Sequence, residues 1–206
     1  MLSLKRRIAI GDTAPPPADW AAEFGRRAPL EVDLGCGRGA FVLERARLLP
    51  GTDFLALEAR RKWIAHLREE ITRHALPNLR AVWCDLQQDL PDLFPPGSVT
   101  GFTILHPDPW WKKRHHKRRL VQLETVGLLA ALLRPGGWLY FQTDVPALAD
   151  EATAAFGAHP VFAPLDAEHF LAEELGGVLS HRGRRCARQG IPVTRLAFRR
   201  LPGEAP

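Results

Sequence analysis

The chain reads as an α/β protein built on a doubly wound, mostly parallel seven-stranded sheet with one antiparallel strand near its edge. Three observations predict this. Short apolar runs alternate with stretches of helical spacing from Leu30 onward. The first run ends on a glycine-rich turn, Gly35-Cys36-Gly37-Arg38-Gly39. The last two runs, residues 161–165 and 193–198, follow one another without a clear full helix between them. Strict alternation gives right-handed crossovers and parallel pairing, and the late pair supplies the reversed strand.

Each element has its own signal. Residues 1–28 read as a weakly ordered leader broken by Pro15-Pro16-Pro17, ahead of a single domain over 29–206. The first strand is 30–34, and the helix over 40–49 stops at Pro50-Gly51. The second strand is 54–57. A helix over 60–75 carries Trp63, Ile64, Leu67 and Ile71 on one stripe. Pro77-Asn78 turns the chain into the third strand, 79–84, and 99–105 is the fourth. A helix over 119–133 is closed by Pro135-Gly136-Gly137, before the fifth strand at 138–142 and a helix at 147–156. There is no internal repeat and no low-complexity tract.

Composition narrows the function classes. The 206 residues suffice for one full core. No apolar run approaches the roughly 18 residues of a membrane span, and the basic N-terminus lacks the apolar stretch of a signal peptide. Three isolated cysteines, Cys36, Cys84 and Cys186, suit a reducing cytoplasm and neither a disulfide framework nor a zinc site. The net charge of +5 is uneven. Residues 112–119 hold six Lys/Arg and residues 181–200 hold seven, neither with an acid, and the rest of the chain is net acidic. Such concentration marks a polyanion footprint; the plain alternative is two solvated loops.

The glycine turn joins the first strand to the first helix, where a ligand must approach the main chain closely. Gly35, Gly37 and Ala40 satisfy the G-x-G-x-x-A fingerprint, and Glu58 lies roughly 20 residues on, at the end of the second strand. A dinucleotide site therefore competes. Asp33, Asp85 and Asp108 favour S-adenosylmethionine, because with Glu58 they place acids at four successive strand ends. Such a crevice attracts a cation and repels pyrophosphate. Asp33 suits an α-ammonium group, Asp85 the adenine amino hydrogens and Glu58 ribose hydroxyls. Each acid alone could equally be a helix cap.

The other half of the crevice is the string His106-Pro107-Asp108-Pro109-Trp110-Trp111 and the eight basic residues after it. A carboxylate, an aromatic platform and a phosphate grip in one loop suit chemistry on a nucleic-acid base. Guanine N7 is unprotonated at neutral pH and needs no general base, so alignment is the main task. A carboxylate such as Asp108 or Asp144 can hold the guanine N1–H and N2–H₂ edge. Trp110 or Trp111 can stack on the base, one of them being plain core. Arg182, Arg184, Arg185 and Arg188 would extend the phosphate track. His115 and His116 are adjacent, which is not the spacing of a helical metal pair, so no metal site is read.

From Asp108 to Arg119 the sequence resembles the signature of the tRNA (guanine-N7)-methyltransferase family, Asp-Pro-Trp-Pro-Lys-Lys-Arg-His-His-Lys-Arg-Arg. It differs only at Trp111, which stands for a proline. The resemblance runs in order over residues 30–144. It implies a class I Rossmann-like methyltransferase that uses S-adenosylmethionine to methylate N7 of a guanosine in the variable loop of tRNA, as a monomer or homodimer. Asp33, Glu58, Asp85, Asp108 and the turn glycines Gly35, Gly37 and Gly39 would bind the cofactor. Asp108 would also be catalytic. Lys112 and Asp144 would contact the substrate, with Trp110, Lys113, Arg114 and Ser180 beside them. The family's Thr-x-x-Glu motif corresponds here to Ser180-His181-Arg182-Gly183, so its glutamate is absent.

Other readings stay open. An amino-methyltransferase acting on an exocyclic base nitrogen also carries an acid, proline and aromatic after its fourth strand. A non-catalytic RNA-binding relative would explain Gly183, and an NAD enzyme would explain the glycine turn alone.

Overall fold

The computed structural model describes residues 19–203. Seven strands form one sheet: β1 (Leu30–Leu34), β2 (Asp53–Glu58), β3 (Leu79–Trp83), β4 (Val99–Leu105), β5 (Leu133–Thr143), β6 (Phe162–Leu165) and β7 (Thr194–Arg200). Their order is β3-β2-β1-β4-β5-β7-β6. Strands β1 to β5 pair in parallel. β7 runs antiparallel to both of its neighbours, which makes it the reversed strand expected near the edge.

β1 and β2 are buried at every position, because helices cover both faces of the sheet. The alternating side chains sort into two cores. Val32, Leu34, Leu55, Leu57, Phe102 and Phe141 face one. It is closed by α4 (Leu86–Leu93), α5 (Leu123–Leu132) and α6 (Pro146–Gly157). Phe54, Ala56, Ala81 and Tyr140 face the other. It is closed by α2 (Ala40–Leu48), α3 (Arg61–Arg73) and α7 (Ala167–Glu173). Packing is closest where β4 meets β5: a Cβ on Gly101 would lie 2.1 Å from the Trp138 ring.

Several elements differ from expectation. The proline break at 15–17 lies outside the described residues. Part of the supposed leader is ordered: α1 (Trp20–Phe24) is capped by Asp19. Trp20 is buried, and its indole N–H donates to the Leu93 carbonyl at 2.7 Å. The basic run does not open a long helix. Residues Lys113–Arg118 form a 3-10 turn, and α5 starts only at Leu123, because adjacent cations and two histidines offer no apolar face to a core. Pro135-Gly136-Gly137 lies within β5, which begins at Leu133 opposite Val99 across a register shift. Between β6 and β7 stand α7 and α8 (His181–Gln189). α8 buries only Gly183 and Cys186, so it has no apolar stripe to reveal it.

With β1 between β2 and β4, the chain leaves neighbouring strands in opposite directions. A crevice opens outside their C-terminal ends, the usual ligand position in such sheets.

Candidate active site

A cleft of about 670 Å³ opens there. It is lined by Gly35, Gly37, Glu58, Asp85, Asp108, Trp110, Asp144 and Ser180, together with His106, Arg60 and Arg182. Most of the residues picked from sequence therefore meet in one place. Asp33 and Gly39 do not line it, and Lys112, Lys113 and Arg114 stand outside it, exposed.

On one side of the cleft, Glu58 organises the glycine turn. One carboxylate oxygen accepts from the Gly37 backbone N–H at 3.0 Å and the other from the Arg60 N–H at 2.9 Å. Gly39 holds φ at +76° as it starts α2, and a Cβ there would come within 2.5 Å of Leu67. Glycine is required by both conformation and space. Asp33 ends β1 in the buried layer, with Thr103 donating to it at 2.9 Å. Burial pushes its carboxyl up to about 7, the Thr103 hydrogen bond opposes this and the nearby Glu58 charge adds to it. No cation neutralises it in this network. Asp85 does what the plain reading allowed: it caps α4, accepting from the Gln87 N–H at 3.1 Å, while still facing the cleft.

The other side is the loop after β4. His106 sits at φ +53° and Trp110 at φ +47°, a left-handed backbone that is uncommon outside glycine and gathers at functional sites. Asp108 reaches Arg60 at 2.6 Å, both side chains about half exposed. Arg118 covers one face of Trp110 at 5.1 Å, and His115 meets its ring edge-on. Trp111 is 73% exposed at the cleft rim and Trp110 only partly buried, so neither is the plain core residue expected of one of them. Arg119, expected in the phosphate grip, is instead buried. It donates to the Pro109 carbonyl at 2.9 Å and pairs with Glu151 of α6. Its own carbonyl, like that of Lys117, accepts from the Gln87 and Gln122 side chains.

Asp144 follows β5. The His106 Nδ1 lies 2.8 Å from its Oδ1, and Arg182 forks onto the same carboxylate through Nε, at 3.2 Å from Oδ2, and through Nη2. The Arg182 hydrogen bonds hold the Asp144 carboxyl down at about 2, against its partial burial and with help from His106. Burial in turn lowers the His106 pKa, against the pull of Asp144. Ligand atoms of His106, Asp144 and Cys186 lie within 4.8 Å of one another. Asp144 already serves two donors there, so the group reads as a hydrogen-bond network.

Ser180 caps α8, its Oγ accepting from the Gly183 N–H at 3.0 Å and from Gln142 at 3.4 Å. A Cβ at Gly183 would stand 3.3 Å from both Gln142 and Ser180. The second basic segment is mostly bonded to the body. Arg184 pairs with Glu44 and Arg195 with Glu168, Arg199 and Arg200 donate to the Gly136 and Leu133 carbonyls, and Arg185 bonds the Gln189 side chain while Arg188 stays exposed. The expected arginine track is thereby shortened. Sequence reasoning missed His106, Arg60 and Gln87 as site residues; the pairing of Arg182 with Asp144 had no sequence signal.

Comparison with known proteins agrees with this geometry. A family model described as "Putative methyltransferase" matches residues 27–196. A tRNA (guanine-N(7)-)-methyltransferase of Synechococcus sp. (strain JA-2-3B'a(2-13)) is 36% identical over 191 residues, 90% of this chain and 77% of the relative. The Microcystis aeruginosa protein of the same name is 36% identical over 187 residues, 89% of each chain. The chain belongs to the tRNA (guanine-N(7)-)-methyltransferase family. A further member of that family, from Mycolicibacterium gilvum, is 42% identical over 146 residues, 68% of this chain and 56% of its own length. In structure, the 16S rRNA methyltransferase KamB superposes with a TM-score of 0.66 at 20% identity, covering 95% of this chain and all of its own. A 16S rRNA (adenine(1408)-N(1))-methyltransferase from Catenulisporales acidiphilia, solved with SAM, gives 0.60 at 18% identity, over 97% of this chain and 99% of its own. At these identities the two likenesses show a shared fold alone.

Proposed function

We propose that this chain transfers the methyl group of S-adenosylmethionine to N7 of a guanosine in tRNA, in the variable loop, acting in the cytoplasm as a monomer or homodimer. The carrying observation is one cleft that joins the Glu58-braced glycine turn and Asp85 to Asp108, Trp110 and the exposed basic turn. Asp33, a buried carboxyl paired with no cation among the described residues, fits a ligand that brings a positive charge. Membership of the family supports the same reaction.

In this reading Glu58 and Asp85 hold the cofactor with the backbone of Gly35 and Gly37, and Asp33, off the cleft wall, acts on it through its charge. The cofactor supplies an electrophilic methyl on a sulfonium. N7 offers a free lone pair, so the residues need only align it and offset the charge the ring gains. Asp108 is the carboxylate nearest that task. Trp110 presents one ring face, worth about 1–3 kcal/mol if a base stacks on it. Lys112, Lys113 and Arg114 take the phosphates. Three free cysteines suit a reducing compartment, and no helix among the described residues is long and apolar enough to cross a membrane.

The test is methyl transfer from labelled S-adenosylmethionine to unmodified tRNA. Borohydride–aniline scission locates N7-methylguanosine, and Asp108→Ala is run alongside. Scission in the variable loop that the variant loses is the expected result. A product methylated on an exocyclic nitrogen, or RNA binding without transfer, would overturn it.

A further inference from the structure

Asp144 is the carboxylate that the family resemblance gives to the substrate, yet both its oxygens are engaged. Oδ1 meets His106 Nδ1 at 2.8 Å, and the carboxylate takes the Arg182 fork. Its side chain is only 10% exposed, whereas that of Arg182 is 42% exposed and borders the same cleft as Asp108 and Trp110. Nε and Nη2 of Arg182 point to Asp144; the guanidinium also meets the Cys186 thiol, but no hydrogen bond from Nη1 to a protein oxygen is seen among the described residues. Both residues line the cleft, but Arg182 is the more exposed of the two, so what the pair chiefly offers there is a donor held by a carboxylate.

The purine edge beside N7 makes that exchange meaningful. Guanine carries the acceptor O6 there, and adenine carries an amino donor. Arginine is the commonest reader of the guanine O6/N7 edge. N7 must stay open for the methyl, so only a single N–H to O6 is compatible with reaction. Asp144 also cancels the guanidinium charge, which would otherwise oppose the positive charge the ring gains on methylation. Gly183 lies one residue further on, where the family's glutamate is absent, and leaves no carboxylate in α8 to compete for Arg182.

We infer that Arg182, positioned by Asp144 and His106, selects guanine by donating an N–H to O6. This rests on guanosine N7 being the target. Asp144 is then a positioning residue acting through Arg182.

The test uses synthetic, splint-ligated tRNA in which the target guanosine is kept or replaced by inosine, which keeps O6 and N1–H, or by 2-aminopurine, which lacks both, so that the Arg182-dependent share of the preference is what reports O6. Wild-type protein should act on inosine at close to the guanosine rate and prefer guanosine over 2-aminopurine by at least about tenfold in kcat/KM, the discrimination typical of one good base contact. Arg182→Ala should lower the guanosine rate and leave the 2-aminopurine rate nearly unchanged, so that the preference collapses; Asp144→Asn should shrink it in part. Arg182→Ala lowering both rates by one factor would reassign Arg182 to phosphate contact or folding and overturn the inference. So would wild-type protein acting equally on all three RNAs, a result that needs no variant to fold. Wild-type protein inactive on guanosine tRNA would count against the proposed reaction instead. Filter-binding affinities for the guanosine and 2-aminopurine RNAs would then decide the Arg182 contact, equal values overturning it.

Discussion

Replacing Asp33 with asparagine separates the cost of burying that carboxylate from its use. The side chain is 4% exposed, and burial raises its pKa from the ordinary 3.8 to about 7, against the pull of Thr103. A carboxyl raised in this way binds protons more tightly folded than unfolded. Between about pH 4 and pH 7 the native state therefore holds the extra proton, and stability falls as pH rises through that window. At about 1.36 kcal/mol per pKa unit, the three-unit gap amounts to about 4 kcal/mol above pH 7, an upper bound because asparagine is also desolvated. Asparagine keeps the shape and an oxygen for the Thr103 hydroxyl. Asp33→Asn should therefore be more stable than wild type at pH 8 by about 2 kcal/mol, with most of the gain gone at pH 5. Its affinity for S-adenosylmethionine should fall at least about tenfold, equivalent to about 1.4 kcal/mol, if the buried charge attracts a cationic ligand. Urea unfolding at the two pH values, without cofactor, reads the first effect and calorimetric titration the second. A variant-minus-wild-type difference that is the same at pH 5 and pH 8 refutes burial of an ionised Asp33 as its source.

Three further outcomes follow from the packing and the charges. Gly101→Ala, whose Cβ would strike the Trp138 ring at 2.1 Å, should cost about 1–3 kcal/mol of stability, read as a lower midpoint in urea. Glu58→Gln leaves one oxygen to serve the Gly37 and Arg60 N–H groups, a loss of about 1–3 kcal/mol at a buried acceptor. Weaker cofactor affinity together with a melting temperature lowered by about 2–4 °C per kcal/mol lost is the expected pattern. Lys112→Ala and Lys113→Ala should each reduce by about 1 the slope of log affinity for tRNA against log salt, measured by filter binding, and a slope that does not change in either variant would remove them from the phosphate contacts.

Much of the frame was legible because its signals are local. β1 and β4 match their apolar runs to the residue, and the glycine turn announces the first strand–helix junction. What failed was non-local or masked by composition. α4 follows Leu86 with Gln87, Gln88 and Asp89 and contains Pro91, so its apolar face shows only as the spaced Leu86, Leu90 and Leu93. α8 is held by its Ser180 cap and its Gly190 terminus rather than by an apolar stripe. In the site, residue identity was readable but partnership was not. Arg182 reads as one more cation in a basic segment, and only the fold brings it across 38 positions to Asp144. Arg119 likewise closes a basic run in sequence and a buried network in space.

That burial of Arg119 closes the loop from Pro109 on itself, with the Gln87 side chain as a strut from the first turn of α4 to the Lys117 and Arg119 carbonyls. Asp85 caps the same helix end. A polyanion bound at the basic turn would therefore pull on the helix end that Asp85 caps, the end that the proposed reading gives to the cofactor. Reciprocity then sets a strict condition: whatever factor RNA adds to cofactor affinity, cofactor must add to RNA affinity.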